Sequence, residues 1–329
     1  MAQFILGLDI GGTKCSVILG KEEDGLLQIV AKKAFPTETS KGFAHTMHTI
    51  QQQIDALLHA SALIPEKIAA CGISCGGPLD SAKGLILSPP NLPGWDSIPL
   101  VGIIEKRYGI QTSLQNDANA SALAEWKYGA GKGFNNVIFL TFGTGMGAGL
   151  ILNGRLYAGA NGMAGEAGHI RLERYGPIGY GKAGSFEGFC SGGGITQLAC
   201  SKVYEKMQSG QKVSFCPTMA DLSTISARTV ADAAFGGDEL AKEIYRISGR
   251  CLGKALSVLI DLLNPEIIIL GSIYARAQQL LEPAMNEVIR KETIPYAREA
   301  CRIVPAGLKE SIGDYAALSV ASCHLQVTP

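Results

Sequence analysis

The chain has 329 residues, which suits two domains better than one compact core. Its 29 basic residues balance 29 acidic residues, so no charge excess favours nucleic acid or an anionic membrane as a partner. The nine cysteines form no CxxC pair, and the sequence has neither a secretion signal nor an unbroken apolar run of about 18 residues. We therefore expect a soluble cytoplasmic protein with reduced thiols.

The first third of the sequence predicts three hairpin-linked strands and then strands that alternate with helices. The strands are indicated by the branched, apolar runs "FILGLDI", "KCSVILG" and "LLQIVAKKAF", with a turn at "EEDG". Apolar spacing predicts a helix over residues 42–60, and "KIAACGISC" predicts a buried strand that ends in glycines. A further strand, "IQTSLQ", leads into a helix predicted from Asp117 to Tyr128 that stops at Gly129.

A second segment repeats the start of the chain. When "NVIFLTFGTGMGAGLILNG" is aligned with the opening at one constant offset, Asp9 falls on Thr141 and Gly11 on Gly143. Both copies predict a strand, a polar glycine turn and a second strand, which indicates two similar α/β halves that face each other across a cleft. We predict a smaller N-terminal α/β domain over 1–116 and a larger C-terminal α/β domain over 117–312. The larger domain carries a helical insertion at about 200–250, and a C-terminal helix at about 313–329 packs back on the smaller one.

Neither glycine turn fits a common nucleotide motif. Gly7 and Gly12 have the spacing of a Walker A loop, but Thr13 and Lys14 stand in the wrong order and a strand follows them. The stretch "GTGMGA" formally matches the dinucleotide pattern, yet it also leads into a strand and not a helix. Two ordinary β-turns are one interpretation. The other is a pair of hairpin turns whose N–H groups hold the phosphates of a nucleotide from both sides.

The motif series resembles the ROK family (repressor, open reading frame, kinase) of bacterial sugar kinases, within the actin-like, ribonuclease-H-like superfamily. The matching motifs are "LDIGGTK", "GGPLD", "SPPNLPGW", "NDANASALAE", "TFGTGMGAGLILNGRLYAGANGMAGEAGH", "FEGFCSGGGI", "NPEIIILGS" and "IGDYAALSVA". The resemblance implies two ribonuclease-H-like (actin-like ATPase) domains flanking a central cleft, and a kinase that uses ATP and Mg²⁺. The implied acceptor is a hydroxyl, expected to be the 6-hydroxyl, of a hexose or N-acylhexosamine.

The resemblance also has a regulatory alternative. Repressors of the family carry a DNA-binding segment before the first motif, which here begins at residue 6, so we expect the kinase branch. A catalytically silent sugar-binding regulator is the alternative. We expect no nucleic-acid partner and, as is common in the family, a homodimer.

The family motifs assign roles to individual residues. Asp117 is the implied general base, although Asn and Asp at a helix start are also favoured simply as caps. The helix N-terminus is expected to keep Asp117 ionised. Sugar-binding residues are expected at Gly77, Asn91, Asn116, Asp117, Glu166, His169 and Glu187. Nucleotide-binding residues are expected at Asp9, which holds Mg²⁺ through water, and at Gly11, Gly12, Thr13, Lys14, Thr141, Gly143, Thr144, Gly145, Gly271 and Ser272.

One departure from the family concerns metal binding. Many relatives carry CxCGxxGCxE, whose three cysteines join the pocket histidine in a structural zinc site. This chain reads "IGYGKAGSFE", with Ile178, Tyr180 and Ser185 at the cysteine positions. We therefore predict no structural zinc, and we expect packing of Ile178, Tyr180 and Phe186 to hold the loop.

Overall fold

The computed structural model describes residues 2–327, apart from the side chains of His324, Gln326 and Val327. The strands are β1 (Gln3–Ile10), β2 (Lys14–Glu23), β3 (Leu26–Pro36), β4 (Ile68–Cys75), β5 (Leu79–Asp80), β6 (Leu85–Ile86), β7 (Thr112–Asn116), β8 (Val137–Phe142), β9 (Met146–Leu152), β10 (Arg155–Leu156), β11 (Ile178–Gly179), β12 (Lys182–Ala183), β13 (Ile267–Leu270) and β14 (Arg302–Pro305). The helices are α1 (Gly42–Ala60), α2 (Leu100–Tyr108), α3 (Asp117–Tyr128), α4 (Phe186–Cys190), α5 (Gly192–Gln208), α6 (Ala227–Phe235), α7 (Glu239–Leu263), α8 (Ser272–Glu292), α9 (Pro295–Ala300) and α10 (Ile312–Val327).

The first sheet has the strand order β3-β2-β1-β4-β7. Its first three strands are antiparallel neighbours, whereas β1, β4 and β7 run parallel to one another. The strands predicted in this part of the sequence are confirmed. The predicted helix from Asp117 to Tyr128 is also confirmed, because α3 has those bounds and Gly129 follows it.

Alternating side chains of β1 face two different layers. Leu6 and Leu8 pack into a core with α1 and α2, whereas Ile5 packs on the other face against Ala317 and Leu318 of α10. This period of two is what a strand covered on both faces requires. Helix α10 also packs against α3, so the last helix of the chain covers one face of the first sheet.

The second sheet has the order β10-β9-β8-β13-β14, which matches the first sheet strand for strand. Strands β8, β13 and β14 are parallel, as β1, β4 and β7 are. The sequence repeat is therefore a structural repeat. The strand before each glycine turn ends at equivalent positions, Ile10 and Phe142, and the next strand begins at Lys14 and Met146.

The residues group into two compact units. One unit comprises 1–133, 149–164 and 307–329, and the other comprises 134–148 and 165–306. Helices α5, α6 and α7 account for most of the predicted insertion, and α7 continues beyond it to Leu263. The domain boundaries predicted from the sequence stay a prediction. Among residues 2–327 no helix is both long enough and apolar enough to cross a bilayer.

Candidate functional site

Three parallel strands of the first unit end at the same edge of their sheet. The register places Ile10, Cys75 and Asn116 side by side at the carboxyl ends of β1, β4 and β7. Glycine-containing loops follow β1 and β4, and the start of α3 follows β7 directly, an arrangement typical of ligand sites in α/β sheets. This edge carries most of the first unit's predicted site residues.

The first glycine turn follows β1. The Gly11 N–H donates to the Lys14 carbonyl at 3.1 Å, and the Thr37 hydroxyl donates to the Gly11 carbonyl at 2.6 Å. Gly12 lies directly against Asn91, because a Cβ built on Gly12 would be 2.5 Å from the Asn91 carbonyl oxygen. The turn thus needs glycine for a close approach between two backbone segments.

Asp9 lies just before this turn in an environment of mixed charge. The pKa of its carboxyl group is raised to about 6: burial is the largest cause, the nearby carboxylates Asp314 and Asp117 also raise it, and Lys32 and Lys14 partly oppose them. Three neighbouring carboxylates repel one another, and a divalent cation with hard oxygen ligands would relieve that repulsion. Asp314 is already paired with Lys32, and a hydrated Mg²⁺ usually takes only one or two protein carboxylates, so Asp9 is the carboxylate of this edge that could contribute to such a site.

The start of α10 adjoins Asp9. The sequence did not predict this contact. A Cβ built on Gly313 would lie 2.8 Å from Asp9 Oδ2, so the helix reaches Asp9 only because residue 313 is glycine. Its neighbour Asp314 pairs with Lys32 of β3 at 2.6 Å. The only signal in the sequence was the motif "IGDYAALSVA", which carried no assigned role.

Asn116 and Asp117 begin α3. Asn116 is the N-cap, and its Oδ1 accepts the Ala118 N–H at 2.9 Å; Asp117 Oδ1 accepts the same N–H at 2.9 Å. The Asp117 side chain is partly open to water. Protein atoms nevertheless surround most of its carboxylate, and the resulting loss of hydration raises the pKa of Asp117. The N–H groups of Ala118 and Asp117 lower the pKa, as expected of a helix start, but their effect is the smaller one.

Gly76 and Gly77 connect this helix start to the first turn. A Cβ on Gly77 would lie 3.3 Å from Asn116 Nδ2, and one on Gly76 would lie 3.3 Å from Asn91 Nδ2. The structure thus brings four predicted residues of the first unit, Gly77, Asn91, Asn116 and Gly12, into one connected set. Thr13 and Lys14 are exposed at the tip of the turn.

The second glycine turn lies in the other unit and is also closed by a backbone hydrogen bond within the turn. The Gly143 N–H donates to the Gly145 carbonyl at 3.0 Å. At the end of β13, the Gly271 N–H donates to the Leu140 carbonyl at 2.8 Å, and the Ser272 hydroxyl donates to the Phe142 carbonyl at 2.7 Å. Gly271 and Ser272 therefore adjoin the strand that carries Thr141 and leads into the turn.

Glu166 and His169 lie in an exposed loop that runs along the start of β9. The Ala148 N–H donates to the Gly165 carbonyl at 2.8 Å, and a Cβ on Gly168 would lie 2.6 Å from the Met146 carbonyl oxygen. The ring of His169 meets Tyr180 edge-on, with centroids 6.2 Å apart. Glu187 of α4 reaches the same strand, where its Oε2 accepts the Met146 N–H at 2.8 Å.

The expected packing of the loop around residue 178 is partly wrong. Phe186 is fully buried, but Ile178 is 54% exposed and Tyr180 is 79% exposed. The side-chain amide of Gln197 holds the loop instead: its Oε1 accepts the Ile178 N–H at 3.0 Å, and its Nε2 donates to the Ile178 carbonyl at 2.9 Å. Among residues 2–327 no group of three or more His, Cys, Asp or Glu is arranged to hold a metal. The predicted lack of structural zinc stays a prediction.

Comparison with protein families matches residues 5–322 to the ROK family. The chain belongs to the ROK family. It is 31% identical over 319 residues to the glucokinase of Thermotoga maritima, with 96% of each chain covered. It is also 28% identical over 287 residues to the DNA-binding transcriptional dual regulator NagC of Escherichia coli, covering 85% of this chain and 67% of NagC.

Solved structures give the same result for the fold. The ROK hexokinase of Thermus thermophilus matches with a TM-score of 0.81 and 27% identity, covering 99% of each chain. The ROK glucokinase of Streptomyces griseus in complex with glucose and AMPPNP matches with a TM-score of 0.72 and 28% identity, covering 97% of this chain and 99% of that one. The predicted fold class is confirmed as a mixed α/β, two-domain actin-like fold with two five-stranded sheets.

Proposed function

We propose that this ROK-family protein is an ATP- and Mg²⁺-dependent sugar kinase, with a hexose or N-acylhexosamine as acceptor and the 6-hydroxyl as the site of transfer. The observation that carries the proposal is the shared strand edge of the first unit, where Asp9 lies near the end of β1, a glycine turn follows β1, and Asp117 follows β7 of the same parallel set. The similarity to glucokinases supports a sugar as the acceptor.

Asp117 is the proposed general base. It accepts the proton of the sugar hydroxyl while the hydroxyl oxygen bonds to the γ-phosphorus; the bond from that phosphorus to the bridging oxygen breaks, and ADP leaves. Desolvation raises the pKa of Asp117, and a carboxylate with a raised pKa is a stronger base. Because the Asn116 side chain accepts the Ala118 N–H, α3 keeps a cap when the Asp117 carboxylate binds a proton.

The two glycine turns are the proposed phosphate-binding segments. Gly11, Gly12 and Thr13 contribute one turn, and Thr141 and Gly143–Gly145 contribute the other. Asp9 would hold hydrated Mg²⁺, which when bound neutralises charge on the β- and γ-phosphates. Lys14 offsets further negative charge, and Gly271 and Ser272 border the adenosine.

The remaining candidates are proposed to bind the sugar. They are the backbone of Gly77 and the side chains of Asn91, Asn116, Glu166, His169 and Glu187. These groups supply both donors and acceptors, which a sugar with many hydroxyl groups requires once it is bound. We further propose that the protein acts in the cytoplasm as a homodimer.

An assay that couples ADP release to a visible signal tests this function with glucose, fructose, N-acetylglucosamine and N-acetylmannosamine. Release with at least one sugar is expected. Asp117→Asn should lower kcat by a factor of about 10² to 10⁴ and leave sugar binding measurable by calorimetry. The matched control is Asp24→Asn, at an exposed hairpin turn, which should keep full activity.

The regulator hypothesis gives a different result in the same experiment. Relatives of this chain include DNA-binding regulators as well as glucokinases. A sugar that binds while no tested sugar releases ADP would favour the regulator and contradict the kinase. Full turnover by Asp117→Asn would remove that residue from its proposed role.

A further inference from the structure

The carboxylate of Glu187 is seated against the second glycine turn. Its Oε2 accepts the Met146 N–H at 2.8 Å, and a Cβ built on Gly145 would lie 2.9 Å from the same oxygen. Met146 is buried, so its N–H has little access to water as an alternative partner. Glu187 thus satisfies the backbone at the point where the turn enters β9.

The segment that follows Glu187 binds the other side of the same turn. The Gly192 N–H donates to the Gly143 carbonyl at 2.9 Å, and the Gly193 N–H donates to the Thr144 carbonyl at 3.3 Å. These are N–H groups of the first turn of α5, which have no partner within their own helix. Residues 187–193 therefore hold the turn at three backbone positions.

The position of Glu187 is itself tightly constrained. Ser185 caps α4 by accepting the Gly188 N–H at 3.1 Å, and the Ser191 N–H donates to the Glu187 carbonyl at 2.9 Å. A Cβ built on Gly179 would lie 2.7 Å from the Glu187 Cβ, so β11 packs closely on this residue. A side chain held in this way can orient the group that it binds.

We infer that Glu187 is a positioning residue for the second glycine turn and not only a sugar ligand. It fixes the turn in the conformation that binds nucleotide phosphates, so nucleotide affinity depends on Glu187 even when no sugar is present. Because sugar would bind to the same carboxylate, the two substrates are coupled through it, and the coupling is reciprocal. This inference rests on the proposed function, since it takes the turn to be a phosphate site.

The test is calorimetric titration of the full chain with AMPPNP and Mg²⁺ in the absence of sugar. Glu187→Ala should weaken binding about tenfold, because a buried N–H loses its charged acceptor and the turn loses one of its three attachments. Glu187→Gln should stay within about twofold of the unaltered protein, since the amide oxygen still accepts the Met146 N–H. If Glu187→Ala does not fold, Glu187→Met removes the acceptor at similar side-chain length.

Asp24→Asn is the matched control, because Asp24 lies in an exposed hairpin turn outside the proposed site and the variant should keep the AMPPNP affinity of the unaltered protein. Unchanged AMPPNP affinity in Glu187→Ala would overturn the inference, and so would equal losses in Glu187→Ala and Glu187→Gln. A failure of the proposed function looks different: the unaltered protein itself would not bind AMPPNP.

Discussion

Asp9 and Asp117 are two carboxylates of one strand edge whose pKa values are both raised, with desolvation by the surrounding protein as the largest cause in each, although Asp117 is the more exposed of the two. The remaining causes differ. The charges of Asp314 and Lys32 also shift the pKa of Asp9, whereas the other influence on the pKa of Asp117 is hydrogen bonding from backbone N–H groups. Asp9, which lies among other charged groups, suits cation binding. Asp117, whose carboxylate accepts hydrogen bonds from the backbone, suits proton transfer.

The pKa of Asp9 predicts how nucleotide binding depends on pH. Because its pKa is about 6, the carboxylate that would hold Mg²⁺ is ionised above that value and protonated below it. Affinity for AMPPNP with Mg²⁺ should be constant above about pH 7 and should fall by up to about tenfold per pH unit below about pH 6. Calorimetry at several pH values measures this, and Asp9→Asn should bind weakly with no such dependence. A profile for the unaltered protein that is flat down to about pH 5 would contradict the assignment.

The same pKa shift predicts a cost in stability. The pKa of Asp9 is higher in the folded chain than in the unfolded one, so its contribution to stability is present at low pH and is lost as pH rises through about 6. At neutral pH, Asp9→Asn should therefore unfold at a higher temperature, with a gain of about 1 to 2 kcal/mol after allowance for the water that reaches the side chain. Thermal unfolding measures this, and Asp24→Asn, in an exposed turn, is the control with no expected change. A lower unfolding temperature for Asp9→Asn would contradict the prediction.

At the scale of elements, the packing of α10 on the first sheet depends on residues without side chains. Gly7 and Gly72 face this helix from β1 and β4, and a Cβ on Gly7 would lie 3.1 Å from the Ala317 Cβ. A Cβ on Gly72 would overlap the Ala317 carbonyl oxygen and the Ala321 backbone nitrogen. The helix that brings Gly313 to Asp9 is thus held close to the sheet by glycine and alanine.

Gly72→Ala tests this packing. The methyl group has no space, so α10 must move, and we expect a loss of about 3 kcal/mol or more in the free energy of unfolding. Nucleotide affinity should fall as well, because Gly313 moves with the helix. The control is Gly102→Ala in α2, where nothing lies within 4 Å of the new Cβ and a gain of about 0.5 to 1 kcal/mol is expected. Urea unfolding separates the two, and equal stability of both variants would show that the helix tolerates the displacement.

At the scale of the whole chain, a buried carboxylate ties two distant segments together. Glu125 of α3 is fully buried; its Oε2 accepts the Ala130 N–H at 2.8 Å and the Gly307 N–H at 3.1 Å, and its Oε1 accepts the Leu308 N–H at 2.8 Å. The first segment precedes the point where the chain first leaves the first unit, and the second is where it returns for the last time. Glu125 therefore joins the loop that follows α3 to the loop that precedes α10.

Glu125→Ala should be among the most destabilising single changes in the protein. It leaves three backbone donors without their acceptor, and each buried N–H that loses its partner costs about 1 to 3 kcal/mol, so a total loss of about 3 kcal/mol or more is expected. Glu125→Gln should also destabilise, because its NH₂ group would face N–H donors. Glu299→Ala, at an exposed position of α9, should change stability by less than about 0.5 kcal/mol. A Glu125→Ala variant as stable as Glu299→Ala would show that water replaces the carboxylate.

Local pattern was enough to predict most elements and several site positions. The bounds of α3, its start at Asn116 and Asp117, and the equivalence of the two glycine turns follow from apolar period, capping residues and glycine spacing. The packing expected of Ile178 and Tyr180 was wrong, because an apolar or aromatic residue in a loop has no period that shows which way it faces. The role of Gln197 in holding the loop was not predicted either, since a polar residue on a helix is most often exposed.

The sequence alone determined the ROK-type order of motifs, the α/β class, the repeated strand–turn–strand hairpins and the positions of Asp9 before the first turn and Asp117 at the start of α3. These depend on neighbours within a few residues, where side-chain size, charge and backbone preference act directly. Only the tertiary structure decided that Gly313 adjoins Asp9, that Glu187 binds the second turn, and that Glu125 joins residues 130 and 307. Those contacts join residues that are far apart in the chain, and the packing of whole helices and sheets selects them.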